Sequence, residues 1–378
     1  MNQRRIRIGV LLLALMLLFP FSSAHAFDAV DAEAEAAAAL SAIKSKPGKL
    51  LSLGKDFPAG TSLADWSAMA LALSGSEEVF SSYLSDLKRY VEKAYAEEGG
   101  LHPVQSTPYH RIALTVLALG GDPTAFGTAP DGTPIDLIAD GTYAFRGGSI
   151  GDQGLNGWIY ALIALDASGA QVPADARFTR EDMLSAITEA QLPDGGFNLI
   201  FGSGDVDMTA MALQALAPYR NACPDVIEAA LRFLSNAMSD RCMFAPYGAP
   251  SVESAAETVT ALCALGIDPE TDSRFCRGGE SLLSGIAQFK KEDGTYSHLL
   301  TDETGDCLAT AKVLLSFTAV RKLKHGDGSI FDFSGYAGPS ERPESNFPLI
   351  IGGTAATAAV ITAIRFTATR RKHGKDHR

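Results

Sequence analysis

Residues 191–216 read QLPDGGFNLIFGSGDVDMTAMALQAL, and this segment decides the fold. A polar helix end is followed by a Gly-Gly turn, a loop with two spaced aspartates and a helix of small apolar residues. Weaker copies of the pattern recur at intervals of roughly 50 residues, as in proteins that are built from helical repeats. We therefore interpret the segment as the best-preserved copy of a repeat unit.

Six segments of the chain carry small or apolar residues at helical spacing. They are LADWSAMALALSG from Leu63, YHRIALTVLALGGDP from Tyr109, LNGWIYALIALDASG from Leu155, DMTAMALQALAP from Asp207, SAAETVTALCALGIDP from Ser254 and GDCLATAKVLLSF from Gly305. A more charged, amphipathic segment precedes each one, at 28–46, 77–97, 134–140, 179–191, 223–238 and 279–290. Helix-stop residues follow five of the six, at Gly75, Gly120, Gly169, Pro218 and Gly266. The pattern predicts twelve helices in six pairs and no β-sheet.

These pairs predict an all-α fold for residues 27–333. A helix that is apolar nearly all round needs burial on every side, whereas its amphipathic partner can show one face to solvent. We therefore expect an (α/α)6 toroid, with the apolar helices inside and the amphipathic helices outside. An open helical solenoid satisfies the same pattern, but six pairs are enough to complete a closed arrangement.

The amino-terminal end has the form of a secretory signal peptide. Residues 1–26 contain three arginines, an apolar run from Val10 to Phe19 and a small-x-small cleavage site at Ala24-His25-Ala26. The mature chain is then expected to begin near Phe27 and to lie outside the cytoplasm.

The carboxyl-terminal end has the form of a membrane anchor. Residues 334–345 form a Pro/Gly/Ser linker, and 346–366 are nearly uncharged and long enough to cross about 30 Å of hydrocarbon. The basic tail at 367–378 should remain in the cytoplasm. Together the two ends predict a single-pass type I protein in the cell membrane of a Gram-positive-type bacterium.

The charge and the cysteines limit the possible partners. The formal net charge is −12, whereas nucleic-acid binding depends on Lys and Arg residues that neutralise phosphates, so we expect no nucleic-acid partner. The cysteines lack the spacing of a zinc site, and no metal is expected. One disulfide among Cys223, Cys242 and Cys276 is possible outside the cytoplasm, while Cys263 is expected in the core and Cys307 completes the odd count of five.

The repeat unit also resembles a known family. QLPDGGF at 191–197 followed by DVDMTAMALQAL is similar to the repeat of squalene and terpenoid cyclases and of protein prenyltransferase β subunits, whose turns carry an aromatic residue after paired glycines. The chain looks closest to bacterial exported proteins of that repeat superfamily. The resemblance spans roughly Leu63 to Phe331 and implies the α/α toroid. The vitamin-B12 carriers share this toroid, so the likeness alone implies no single activity.

The resemblance to class II terpene cyclases implies a candidate acid catalyst. Asp205, Asp207, Thr209 and Ala210 match the DxDD-T-A motif of those enzymes, with Asp207 in the central place and Met208 where the last aspartate should be. An enzyme of this kind would protonate an apolar isoprenoid. The alternative is that Asp205 or Asp207 is simply the N-cap of the following helix.

A binding function uses the same end of the toroid without catalysis. When the starts of the apolar helices are superposed, polar and aromatic residues come together near one end: His110, Asn156, Asp207, Glu257 and Asp306, with Tyr109, Trp158 and Phe197 close by. An apolar pocket with a few convergent polar groups is typical of a small-molecule site. His110 could then ligate the cobalt of a corrinoid, although no cofactor is otherwise expected.

A third class of function is docking to another surface protein. We expect a non-catalytic module for an apolar small molecule or a surface protein, with a cyclase-like enzyme and a corrinoid-binding protein as the alternatives.

Overall fold

The structure is a computed structural model that describes residues 31–45, 58–76, 80–199 and 202–339. The predicted signal peptide at 1–26, the membrane helix at 346–366 and the basic tail at 367–378 lie outside the described residues. Within these four ranges, no helix combines the length and the apolar character needed to span a membrane.

The described residues form twelve α-helices, which we number in chain order. They are α1 (Ala32–Ser45), α2 (Ser62–Leu73), α3 (Ser81–Glu98), α4 (Thr107–Ala118), α5 (Leu137–Gly141), α6 (Leu155–Ser168), α7 (Arg180–Glu189), α8 (Val206–Leu216), α9 (Pro224–Ala237), α10 (Val252–Ala264), α11 (Leu282–Ala287) and α12 (Cys307–His325). Each helix falls on one of the predicted helical segments. The prediction of an all-α fold is therefore confirmed for the described residues.

The structure adds one short β-hairpin that the sequence did not predict. Strands β1 (Cys276–Arg277) and β2 (Glu280–Ser281) pair antiparallel, with Cys276 opposite Ser281. Strands of two residues are too short to show an alternating pattern, so the hairpin left no periodic signal. Single turns of 3₁₀ helix also occur at Pro123–Ala125, Ala217–Tyr219 and Ser273–Phe275.

Local side-chain bonds explain where several helices begin and end. Thr179 caps α7 in a reciprocal capping box with Asp182, which satisfies free backbone N–H groups at the helix start. Asp306 caps α12 by accepting from the N–H of Ala309 at 2.8 Å. At the other end of α6, Gly169 adopts the left-handed conformation that terminates a helix.

The even-numbered helices pack in a closed order. Each of them contacts the next along the chain from α2 to α12, and α12 in turn contacts α2. Alanines at their contacts, such as Ala113, Ala161, Ala212 and Ala261, are fully buried and allow close approach. Of the odd-numbered helices, α5, α7, α9 and α11 each pack on the even-numbered helix that precedes them, and α1 packs on α12.

Residues 326–339, which we call the strap, run from the end of α12 to the end of α4. Ile330 is almost completely buried, and the Tyr336 hydroxyl donates to the carbonyl of Ala118 at 3.0 Å. Gly338 lies so close to Gly120 that an added Cβ would come within 2.6 Å of its Cα. The first part of the predicted linker is thus packed against the helices at their carboxyl ends.

Candidate functional site

A cavity of about 280 Å³ lies among the even-numbered helices, towards their amino-terminal ends. Five of these helices contribute two residues that are four positions apart, or about 6 Å along the helix axis. The first-turn residues form an upper layer: Ser62, Thr107, Asn156, Asp207 and Glu253. The residues one turn further along form a lower layer: Trp66, Arg111, Tyr160, Met211, Glu257 and Lys312. All six even-numbered helices therefore meet at this one site.

The two aspartates of the repeat unit have different roles. Asp205 is the N-cap of α8, because its carboxylate accepts from the N–H of Met208 at 2.8 Å. Thr209 supports the same turn: its hydroxyl donates to the carbonyl of Asp205 at 2.6 Å and accepts from the N–H of Phe197 at 2.9 Å. The capping role that the sequence left open thus belongs to Asp205, and two of the cyclase-like motif residues are bound within the backbone turn.

Asp207 instead lies at the cavity. Its Oδ1 is buried and has no hydrogen-bond partner, and the Ser254 hydroxyl is likewise buried without one. Burial raises the pKa of Asp207 to about 6, and the charges of Asp205 and Glu257 add to the rise. The Ser254 hydroxyl lies close enough to the carboxylate to oppose the rise, but the two groups do not meet hydrogen-bond geometry. A buried acceptor without a protein donor is unfavourable and is available to a ligand.

Arg111 is already neutralised beneath the cavity. Its Nε donates to Asp65 at 2.9 Å, and its terminal nitrogen donates to the carbonyl of Gly60 at 2.7 Å. Asp65 is fully buried and also accepts from the Tyr83 hydroxyl at 2.6 Å. The burial raises the pKa of Asp65, while the Arg111 charge and the hydrogen bonds to Asp65 act in the opposite direction.

Lys312 is neutralised on the opposite side. Its ammonium lies 2.8 Å from Glu257 and 3.4 Å from the centroid of the Trp66 ring, which makes both an ion pair and a cation–π contact. Glu257 also accepts from Gln214 at 2.8 Å. The lower layer therefore holds an ammonium group between an aromatic face and a carboxylate.

Glu253 stands beside Asp207 in the upper layer. Its carboxylate accepts from the Ser251 hydroxyl at 3.0 Å and contacts His298 Nδ1 at 2.8 Å. Partial burial acts to lower the pKa of His298, but the hydrogen bond and the charge of Glu253 outweigh this effect, so the pKa is raised. His298 itself is exposed, so solvent screens this pair.

Aromatic and apolar side chains complete the lower part of the cavity. Trp66 and Tyr160 meet edge to face with their ring centroids 6.1 Å apart. The Tyr160 hydroxyl donates to the Met211 sulfur at 3.3 Å. Below them, Ile330 and Phe331 of the strap line the remaining space. The strap therefore lies at the far end of the cavity from Asp207.

The predicted site residues are only partly brought together. Asn156, Asp207 and Glu257 line the cavity. His110 is buried elsewhere: its Nε2 donates to the carbonyl of Gly141 at 2.6 Å, Nδ1 has no partner, and burial lowers its pKa to about 4.

The other predicted ligand residues are also absent from the cavity lining. The Tyr109 hydroxyl accepts from the N–H of Leu101 at 2.9 Å, and Trp158 packs against Phe178 with ring centroids 5.5 Å apart. Phe197 is fully buried, and Asp306 is the exposed cap of α12. The superposed helix starts therefore lie at one end of the even-numbered helices, but only three of the residues predicted from them line the cavity.

Eight lining residues escaped the sequence prediction, and five of them are aromatic or charged: Trp66, Arg111, Tyr160, Glu253 and Lys312. A signal for them exists in the repeats. Four of the five interrupt otherwise apolar helices at equivalent positions in the second turn, and Glu253 occupies the same position in α10 as Asp207 in α8. Ionisable residues inside apolar repeat helices are costly to bury and for that reason point to a site.

A larger cavity of about 620 Å³ lies beside α3 and α5. Two of its carboxylates already have partners, since Asp140 accepts from the Tyr95 hydroxyl at 2.6 Å and Asp136 caps α5 through the N–H of Ala139 at 2.8 Å. This cavity therefore offers no unsatisfied acceptor of the kind that Asp207 provides. Size alone does not make it the better candidate.

The cysteines and metal ligands add no further chemistry to the site. The possible disulfide among Cys223, Cys242 and Cys276 is not formed, and Cys263 is buried in the core as predicted. Within the described ranges, no three His, Cys, Asp or Glu side chains are grouped as metal ligands.

In comparisons with known proteins, no family model matches the chain and no curated protein matches its sequence.

Proposed function

We propose that the chain is an extracytoplasmic binding module, an (α/α)6 toroid anchored through residues 346–366, whose central cavity takes the ammonium group of a ligand. The closed contact order from α2 through α12 and back to α2 supports the toroid, because an open solenoid leaves its first and last repeats apart. The observation that carries the ligand class is the buried, unpartnered Oδ1 of Asp207.

The charge around the cavity favours a cation. Both of its basic residues are already paired, Arg111 with Asp65 and Lys312 with Glu257. Asp207 and Glu253 remain, and only the exposed His298 pairs with the second of them. The amino-terminal ends of their helices offset part of this negative charge, which makes the carboxylates tolerable in the empty cavity. An ammonium group would supply both the charge and the hydrogen-bond donor that Asp207 lacks.

The same lining disfavours the alternative functions. An isoprenoid cyclase needs an apolar cavity. Trp66, Tyr160 and an acidic Asp207 suit that chemistry. The charged side chains of Arg111 and Lys312, however, would lose water against the hydrocarbon substrate, which is costly. A corrinoid would be ligated by His110, which hydrogen bonds to backbone away from the cavity. A volume of about 280 Å³ also lies at or below the usual range for ligand pockets, about 300–1,000 Å³, and favours a small ligand.

Calorimetric titration of the purified full chain with n-butylamine, and with n-butanol as the neutral control, tests this proposal. The amine should bind at pH 7.5 and the alcohol should not. Asp207→Asn should raise the Kd about tenfold to a hundredfold, because a hydrogen bond to a charged group is worth about 1.5–3 kcal/mol. Asp306→Asn is the matched control, since Asp306 caps α12 outside the cavity lining and asparagine caps a helix as well as aspartate does.

The pH dependence gives a second readout. With a pKa of about 6, only about a tenth of the Asp207 side chains remain ionised at pH 5, so the apparent Kd should rise about tenfold from its value at pH 7.5. Equal binding of amine and alcohol, or an Asp207→Asn variant that binds like the wild type, would rule the proposal out.

A further inference from the structure

Exposed apolar side chains occur on loops that lead into the helices of the cavity. The large apolar side chains exposed in the described ranges are Tyr90, Val104, Leu199 and Tyr247. Three of them lie on loops that enter even-numbered helices: Val104 before α4, Leu199 before α8 and Tyr247 before α10. We call these three residues the rim. A small ligand inside the cavity leaves the rim uncovered.

Tyr247 is the most exposed of these residues, with 87% of its surface accessible. It follows Pro246 in a tight turn that is closed by the N–H of Gly248, which donates to the carbonyl of Ala245 at 3.2 Å. Proline fixes the backbone of such a turn, so the aromatic side chain is presented to a partner at a low entropic cost. Exposed tyrosines of this kind are typical of interface hot spots.

The rim and the cavity belong to one surface. Tyr247 lies five residues before the start of α10, the helix that contributes Glu253 and Glu257 to the cavity lining. Leu199 in turn accepts from the N–H of Leu155 at the start of α6, beside the upper layer. A ligand that satisfied Asp207 and also covered the rim would have to extend beyond a cavity of about 280 Å³.

We propose that the ligand amine is the side chain of a lysine within an extended polypeptide, whose flanking apolar residues contact Tyr247 and Leu199. This inference rests on the proposed function, because it identifies what carries the amine. A lysine presents its ammonium on a flexible stem of four methylene groups. Leu199 and Tyr247 lie on the loops that lead into α8 and α10, and the first turns of these helices carry Asp207 and Glu253, so a chain lying on the rim passes the carboxylates of the upper layer.

The protein itself contains an example of this mode of binding. Lys312 lays its ammonium 3.4 Å from the centroid of Trp66 and 2.8 Å from Glu257 in the lower layer. Aromatic and carboxylate groups therefore bind an ammonium together within this cavity. A partner lysine would meet the same combination one layer higher, from Tyr160 below and Asp207 beside it.

Fluorescence anisotropy and calorimetry with four probes test the inference. The probes are n-butylamine and three blocked pentapeptides of sequence Leu-Ala-X-Ala-Leu, in which X is lysine, glutamine or arginine. The lysine peptide should bind the full chain at least tenfold more tightly than n-butylamine, and the glutamine peptide should not bind. Tyr247→Ser should weaken the lysine peptide at least fivefold while n-butylamine binds as before, and Tyr247→Phe should keep most of the affinity.

The outcomes separate this inference from the proposed function. If n-butylamine binds and the lysine peptide gains nothing over it, or Tyr247→Ser has no effect, the polypeptide ligand is overturned and the amine site stands. Tighter binding of the arginine peptide overturns the lysine assignment. If no amine binds, or Asp207→Asn changes nothing, both proposals fail together.

Discussion

Replacing Asp207 by asparagine should stabilise the protein at neutral pH and leave it unchanged in acid. Burial raises the pKa of this carboxyl from 3.8 to about 6. Between these two pH values the folded chain holds a proton that the unfolded chain has already released, so a rise in pH favours unfolding. The stabilising effect of the protonated group is complete below pH 3.8 and is lost as the pH rises through about 6.

The size of the effect follows from the shift. One pKa unit corresponds to about 1.4 kcal/mol, so the ionised Asp207 should lower the free energy of unfolding by about 3 kcal/mol above pH 7. Asparagine has nearly the same shape and does not titrate. The free energy of unfolding of Asp207→Asn minus that of the wild type should therefore rise from near zero at pH 4 to about 3 kcal/mol at pH 7.5.

Urea unfolding of the full chain, followed by circular dichroism at several pH values, measures this difference. Other titrating groups are common to both proteins and cancel. Asp306→Asn serves as the control and should match the wild type within about 0.5 kcal/mol, because Asp306 caps α12 away from the cavity and asparagine also caps a helix. A difference between Asp207→Asn and wild type that stays constant from pH 4 to pH 7.5 would refute the reasoning.

Three further predictions concern the buried pairs and the strap. Arg111→Met should lower the free energy of unfolding by about 3–5 kcal/mol, because it leaves Asp65 buried without its cation. Adding Asp65→Leu should restore part of this loss in the same urea assay. An Arg111→Met variant as stable as the wild type would contradict the prediction. Gly338→Ala should displace the strap from Gly120, so that limited proteolysis cuts the strap sooner. Gly335→Ala, which has a similar positive φ but open space around it, should be cut at about the wild-type rate. Equal cleavage of the two variants would argue that the contact between Gly338 and Gly120 does not hold the strap. Burial lowers the pKa of His110 to about 4, so between pH 7 and pH 4 the unfolded chain binds a proton that the folded chain does not. The free energy of unfolding of the wild type should therefore fall by about 3 kcal/mol more than that of His110→Gln over this range. Identical pH profiles of the variant and the wild type would disprove this.

The helices could be predicted from the sequence because two independent signals coincided. Apolar periodicity located each of the six even-numbered helices, and a glycine or proline marked the end of most of them, as Gly169 does for α6. The assignment of Asp205 and Asp207 needed the structure. Both residues lie at one helix start, and only backbone geometry decides which carboxylate bonds to the helix and which lies at the cavity.

The cavity was harder to predict than the fold because its residues are far apart in the sequence. Trp66, Arg111 and Lys312 belong to different repeats, and each on its own resembles an isolated polar or aromatic residue in an apolar helix. Only the contacts among all six even-numbered helices bring them together. The strap was missed for a different reason, since its Gly- and Ser-containing sequence has the composition of a linker and no helical or strand period.

The closed order of helix contacts also has a consequence for how the chain folds. The first and last repeats meet in an ion pair between Glu35 and Lys290, which are 255 positions apart, and Glu35 also accepts from the Tyr296 hydroxyl at 2.6 Å. A linear array of repeats can fray from either end, one unit at a time. A closed array cannot lose a terminal unit without breaking such distant contacts, so its unfolding should be cooperative over the whole body. Closure should also be the slow step of folding, because contacts of such large sequence separation form only after the intervening chain is ordered.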